Sequence, residues 1–109
     1  MIDNIKTQMR KGILEYCILA VLEKKGEAYV SDILSIMKEA DLFVVEGTIY
    51  PLLTRMKNCG LLTYRWQEST GGPPRKYYQL TPQGVELYYS LQQEWITIKT
   101  AVENVTNHN

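Results

Sequence analysis

The sequence from residue 46 to residue 80 reads EGTIYPLLTRMKNCGLLTYRWQESTGGPPRKYYQL and combines a helical pattern with a hairpin pattern. In its first part, apolar side chains recur at the spacing of one helix face: Ile49, Leu52, Leu53 and Met56. Gly60 ends this pattern as a C-cap glycine would, so we predict a helix over Glu46–Cys59. Pro51 fits only a first helical turn, which indicates a start near Thr48 or the loss of one backbone hydrogen bond.

The opposite face of this helix is small and polar, and its residues are Gly47, Pro51, Thr54 and Asn58, flanked by Tyr50 and Arg55. A helix with such a face fits the major groove of DNA, which is about 12 Å wide. We predict that Tyr50, Thr54 and Arg55 contact the groove or the phosphates. Thr48 and Asn58 are expected to stand behind them, and a merely solvated surface is the alternative.

The second part of the stretch predicts a hairpin. Leu61–Glu68 and Arg75–Leu80 alternate in polarity, and the residues between them are rich in Gly and Pro. Arg75 and Lys76 flank this tip, so we predict that they hold phosphates; ordinary strand charge is the alternative. Tyr64, Tyr78 and Leu80 are expected in the core, and the role of Trp66 is left open.

Helices are predicted on both sides of this stretch. A first helix covers about Thr7–Lys25, and a second, Asp32–Ala40, is expected to have Ser31 as its N-cap. Thr81 followed by Pro82 begins a long last helix that continues to about Val105. The fold class is therefore mainly α with a small two-stranded wing, in the order of a winged helix-turn-helix with an added C-terminal helix.

The last helix carries an apolar seam with alternating steps of three and four residues: Tyr88, Leu91, Trp95, Ile98, Val102 and Val105. Such a heptad pattern is typical of helices that pack against another helix. A chain of this size has little core left to cover the seam, so we predict a homodimer formed through it. Packing on the chain's own first helix is the alternative.

The charge distribution agrees with a nucleic-acid partner, although 12 basic residues balance 12 acidic ones. Residues 45–80 hold five basic and two acidic side chains, whereas residues 81–109 hold one lysine and three glutamates. The expected partner is double-stranded operator DNA, approached by the basic middle of the chain. Lys11, with Lys6 and Arg10, is expected to touch the flanking backbone, and a merely solvated surface is the alternative.

Other classes of function have little support in the 109 residues. Two cysteines and one histidine, His108, give neither a metal-ligand spacing nor a nucleophile with a base, and there is no phosphate-binding loop. We therefore expect no enzyme, no metal and no cofactor. No apolar run is long enough to span a membrane, so a cytoplasmic location is expected. The predicted division is a DNA-binding domain, residues 1–80, and a dimerisation helix with a short polar tail, residues 81–109.

Two motifs resemble those of the PadR family of phenolic-acid-decarboxylase regulators. The segment 47–53, followed by Met56 and by 60–62, is similar to its recognition helix. The segment 71–81, followed by Gly84, is similar to its wing and its entry to the last helix. The single C-terminal helix resembles the small branch of the family. The resemblance implies a homodimeric transcriptional regulator, usually a repressor, that leaves its operator when a ligand or stress signal arrives.

The resemblance also implies a role for Trp95. In multidrug-binding members, a tryptophan of the last helix from each subunit lines a flat pore at the dimer interface and stacks planar cationic compounds. Trp95 occupies that position and also lies on the heptad seam. A planar or aromatic effector between the two indoles is thus expected, with plain packing of the interface as the alternative. For the whole chain, the alternative to DNA binding is a winged-helix module that binds a protein.

Overall fold

The computed structural model describes residues 1–108 as four helices and one antiparallel hairpin. In chain order the elements are α1 (Ile2–Lys25), α2 (Val30–Glu39), α3 (Glu46–Asn58), β1 (Leu62–Ser69), β2 (Gly72–Leu80) and α4 (Pro82–Thr106). This order confirms the predicted fold class. Asn109, the last residue of the predicted polar tail, lies outside the described residues.

One apolar cluster joins the helices to the base of the hairpin. Ile18, Leu19 and Leu22 of α1 are almost completely buried. The apolar face predicted for α3 is buried against them, together with Ile33 and Met37 of α2. Tyr78 is buried in this core, and Tyr64 and Leu80 are packed against it, as predicted. Because α3 buries one full face, its opposite face must lie at the surface.

The hairpin is tied to the connection between α1 and α2. Ala28 and Tyr78 form an isolated antiparallel bridge, in which each backbone N–H donates to the other's carbonyl oxygen, at 3.0 and 2.9 Å. On the other side of the bridge, β1 pairs β2 with Tyr64 opposite Tyr78 and Trp66 opposite Lys76. Near Tyr78, β2 is therefore paired on both of its edges, whereas residues 70–75 at the tip are exposed.

Two predicted helix starts are wrong. The first helix begins at Ile2 rather than Thr7, and its added turns carry Ile2, Ile5 and Met9 as an exposed apolar stripe. The second helix begins at Val30, so Ser31 lies inside its first turn and is not the N-cap. The physical reason is that Val30 is drawn into the core, and the Asp32 carboxylate accepts the Tyr29 backbone N–H at 3.1 Å.

Pro51 lies inside α3, which begins at Glu46. Proline has no N–H to donate to the carbonyl four residues earlier, so the helix loses one backbone bond. Of the two predicted ways to accommodate Pro51, the structure shows the lost bond. Its ring adds to the exposed face of the helix.

The start of α4 is hydrogen-bonded to the residues that follow α3. The Thr81 side chain accepts the Gly84 N–H at 3.1 Å, as the predicted N-cap should, and its hydroxyl donates to the Gly60 carbonyl at 2.6 Å. The Thr81 backbone N–H donates to the Leu61 carbonyl at 3.1 Å. A Cβ on Gly84 would lie only 2.1 Å from that same oxygen. Close approach of α4 to the end of α3 thus requires glycine at this position.

The far ends of α1 and α4 extend beyond the core. The described chain measures 59 by 32 by 23 Å, and residues 1–12 and 93–108 have exposed side chains throughout. Across residues 1–108, the helices lack the combination of length and hydropathy that crossing a bilayer requires.

Candidate nucleic-acid interface

The polar side of α3 lies at the protein surface. All five residues predicted to act from this helix are exposed: Thr48, Tyr50, Thr54, Arg55 and Asn58. The alternation of buried and exposed positions along α3 is the one that the sequence pattern predicts. The helix therefore presents hydroxyl, amide and guanidinium groups outward along its full length.

This polar face borders a cavity of about 380 Å³ between α3 and the hairpin. Tyr50 and Thr54 line it from α3, whereas Trp66, Arg75 and Lys76 line it from the strands. The structure thus brings the predicted helix residues and the predicted hairpin cations to one concave surface. In the following, this surface is called the wing cavity.

A second groove, of about 660 Å³, lies between the N-terminal half of α1 and the start of α3. Lys11 and Arg10 line it from α1, and Thr48 and Arg55 line it from α3. Lys11 is therefore not near the hairpin but on the other flank of α3. Asn58 lies with Tyr50, Thr54 and Arg55 on the outward surface of the helix itself. The predicted residues form one continuous side of the molecule with α3 in the middle.

Comparisons with known proteins match this arrangement. The family model described as "Transcriptional regulator PadR-like family" matches residues 18–89. The chain belongs to the PadR family. A PadR-like transcription factor from Bacteroides fragilis is 55% identical and superposes with a TM-score of 0.78, covering 94% of this chain and 98% of that one. A PadR-like transcriptional regulator from Bacillus cereus is 38% identical, with a TM-score of 0.79, covering 94% and 99%.

A further PadR relative was solved with DNA. Bacillus subtilis PadR in complex with operator DNA is 30% identical, with a TM-score of 0.66, over 73% of this chain and 46% of that one. These comparisons confirm the resemblance and the predicted class of function, a DNA-binding transcriptional regulator of the PadR family and not an enzyme.

The two cations of this PadR wing are held over aromatic rings. The Arg75 guanidinium lies 4.9 Å from the centre of the Tyr29 ring. The Lys76 ammonium lies 4.4 Å from the Tyr64 ring and 5.3 Å from the Trp66 ring. Within the part of the chain that the structure describes, neither cation has a carboxylate within 4.0 Å. Cation–π contacts at exposed sites contribute about 0.5–1 kcal/mol each and leave the charge unneutralised.

Arg55 differs from the wing cations because it is paired. Its guanidinium forms an ion pair with Glu15 of α1, and 61% of its side chain is nevertheless exposed. An exposed pair of this kind contributes about 0.2–1 kcal/mol, so Arg55 can exchange Glu15 for a phosphate at small cost. In the sequence, Glu15 is visible only as an interruption of an apolar run.

A clamp at the base of the wing was missed by sequence reasoning. Arg65 of β1 donates to both Glu27 carboxylate oxygens, at 3.1 Å from Nε and 2.7 Å from Nη2. Hydrogen bonding from Arg65 holds the pKa of Glu27 below its ordinary value. Beside this pair, the Tyr77 ring stacks on the Tyr29 ring with 3.8 Å between centres. These contacts tie the wing to the connection between α1 and α2, and the two partners of each contact are far apart in the sequence.

The predicted seam of α4 divides into two parts. Tyr88 is buried in the chain's own core and stacks with Tyr16 of α1 at 5.9 Å, and Leu91 is packed against that core. The remaining four residues are exposed: Trp95 by 39%, Ile98 by 46%, Val102 by 50% and Val105 by 75%. The first part of the seam therefore packs within the chain, and the second part is uncovered.

Proposed function

We propose that this PadR-family chain is a homodimeric repressor that binds operator DNA with α3 and the wing. The observation that carries the proposal is the wing cavity, where Tyr50 and Thr54 of α3 face the same space as Arg75 and Lys76. Side chains with hydroxyl groups suit base edges, and unpaired cations suit phosphates.

In this proposal the predicted residues have separate tasks. Tyr50 and Thr54 read the major groove, with Thr48 and Asn58 at the ends of the contact. Arg75 and Lys76 bind phosphates from the wing, and Arg55 binds one after releasing Glu15. Lys11 supports the flanking backbone from the groove beside α1. The protein acts in the cytoplasm, where its DNA is.

The uncovered half of the α4 seam supports a dimer. Trp95, Ile98, Val102 and Val105 follow one another at steps of three, four and three residues, and all four are exposed in the described chain. A second copy that packs against them would bury this apolar row and place two α3 helices on one side of the particle. Residues 1–80 then form the DNA-binding unit, and residues 81–109 form the dimerisation unit.

The same helix supports an effector site. Trp95 lies on the uncovered seam, so two copies of the chain bring two indoles face to face. Planar aromatic or cationic compounds are held well between such rings. We propose that a compound of this class binds there and releases the operator.

Band-shift titration on the region upstream of the protein's own gene tests DNA binding. The affinity should fall steeply as salt rises, because phosphate contacts release counterions. Arg75→Ala with Lys76→Ala should weaken binding to every duplex and lower the salt slope by about two. A control with Lys24→Ala and Lys25→Ala removes equal charge outside both cavities. An unchanged affinity and slope in the wing variant contradict the assignment of the wing.

Tryptophan fluorescence tests the effector site. A planar cationic dye should quench the Trp66→Phe protein, in which Trp95 is the remaining tryptophan, and should quench the Trp95→Phe protein much less. Addition of the dye should also release the labelled operator from the unchanged protein. Equal quenching in both variants contradicts binding at Trp95.

A further inference from the structure

Trp66 is a large, exposed aromatic side chain to which the proposed function assigns no role. It lies on β1, opposite Lys76 on β2, and 61% of it is exposed. A tryptophan is usually highly buried, and a mostly exposed one indicates a contact surface when polar groups surround it. The neighbouring Tyr64 ring meets the indole edge-on at 6.0 Å, so the core holds one edge while the rest faces outward.

The direction of the exposed indole is set by the fold. Leu62, Tyr64 and Trp66 follow one another on one face of β1, from buried through half-buried to exposed. This face points to α3, since the Lys57 ammonium lies 5.9 Å from the Tyr64 ring and Trp66 lines the wing cavity. The indole therefore lies between the two surfaces, α3 and the wing, that the proposed function assigns to DNA.

The chemistry around the indole suits a sugar–phosphate backbone. Lys76, at 5.3 Å from the ring, supplies a positive charge beside an apolar surface, and the indole N–H is a donor without acceptor ability. In duplex DNA the base faces are stacked and out of reach, whereas deoxyribose edges and phosphate oxygens are accessible. Contacts to them position a protein without reading sequence.

We propose that Trp66 is a DNA-contacting residue, which packs its indole on a deoxyribose and, together with Lys76, holds the adjoining phosphate. This inference rests on the proposed function and adds an uncharged contact to its cationic ones. Because the contact is to the backbone, it acts on every duplex sequence alike. Because the indole is neutral, it contributes affinity without contributing to the salt slope.

The first experiment uses the Trp95→Phe protein, in which Trp66 is the sole tryptophan. The probe is a labelled random-sequence duplex of about 30 base pairs, roughly three helical turns, at low salt. Anisotropy of the label reports DNA binding, and tryptophan emission reports the indole. Binding should shift the emission and protect Trp66 from acrylamide quenching. The Trp66→Phe protein is the matched control, in which the emission of Trp95 should stay unchanged.

The second experiment compares three variants in the wild-type background. Trp66→Ala should weaken binding roughly tenfold with an unchanged salt slope, and Trp66→Phe should retain more of the affinity. Lys76→Gln should instead lower the slope by about one. Far-UV circular dichroism checks that the variants fold.

The outcomes separate the two proposals. Anisotropy that rises while Trp66 stays open to acrylamide overturns the contact and leaves DNA binding in place. Anisotropy that stays flat with every duplex at low salt, for the unchanged protein as well as for Trp95→Phe, overturns both. If a planar dye protects Trp66 from acrylamide and DNA does not, the wing cavity binds a small molecule. That result would also contradict the proposed contact between Trp66 and DNA.

Discussion

At the scale of single residues, two arginines of α3 and the wing are paired with carboxylates that lie far away in the sequence. Arg55 pairs with Glu15, and Arg65 pairs with Glu27. The local pattern identified Arg55, Arg75 and Lys76 as candidates because a charge on a polar helix face or hairpin tip is visible in the sequence. The carboxylate partners of Arg55 and Arg65 were not predictable, because only the folded chain brings α1 beside α3 and the 26–29 connection beside β1.

The Glu27–Arg65 pair makes stability depend on pH in one direction. The pKa of Glu27 is lowered from 4.5 by hydrogen bonds from Arg65, so the pair's contribution is complete above pH 4.5. The contribution is lost as the pH falls through the lowered folded-state value, since the carboxylate is then protonated. Glu27→Gln should lower the melting temperature at neutral pH, and the difference from wild type should shrink as the pH falls below 4.5, as read by circular dichroism.

A matched control for this variant is Glu68→Gln, which removes an exposed carboxylate from β1. It should leave the melting curve unchanged at neutral pH, because the Glu27–Arg65 pair is intact. If the melting temperature of Glu27→Gln stays equally far below that of wild type at the lowest pH, the ion pair is ruled out as the cause.

At the scale of elements, the features that depend on periodicity were predictable. The two faces of α3, the hairpin and the Thr81 N-cap follow from spacing, alternation and capping residues, and all three agree with the structure. The starts of α1 and α2 were not predictable from local signals. Ile2, Ile5 and Met9 continue α1 without a core to cover them, and Val30 enters α2 because of a tertiary contact.

The junction of α3 and α4 gives a prediction for Gly84. An added Cβ would meet the Leu61 carbonyl oxygen at 2.1 Å, so Gly84→Ala must push the start of α4 away. Overpacking of this kind costs about 1–3 kcal/mol of unfolding free energy, measured by urea denaturation. Gly12→Ala is the control, because nothing lies within 4 Å of its Cβ. That substitution in an exposed helix should stabilise by roughly 0.5–1 kcal/mol, and a stabilised Gly84→Ala protein would contradict the steric account.

At the scale of the whole molecule, the proposed dimer depends on the exposed apolar residues of α4. The sequence predicted one seam for a partner chain, whereas the structure assigns Tyr88 and Leu91 to the chain's own core. Periodicity shows which residues share a helix face but not which neighbour covers each part of it. The remaining row from Trp95 to Val105 is the part available to a second copy.

Val102→Asp tests that row. A charge at Val102 should weaken the proposed dimer roughly hundredfold, because the substitution acts twice per particle and removes apolar burial from each copy. Sedimentation over a range of protein concentrations measures the change, and operator affinity should fall with it. Thr100→Asp, on the opposite side of the same helix, is the control and should remain dimeric. A Val102→Asp protein that sediments as wild type does would exclude this interface.

The Thr81 side chain has a mechanical consequence for such a dimer. Its hydroxyl donates to the Gly60 carbonyl just after α3 and accepts the Gly84 N–H in the first turn of α4. The angle between these two helices is therefore held firmly. In the proposed dimer, a tilt of one α4 helix against the other therefore changes the distance between the two α3 helices. That distance must match one helical turn of DNA. A tilt of a few degrees between the two α4 helices is enough to prevent both α3 helices from fitting the groove at once.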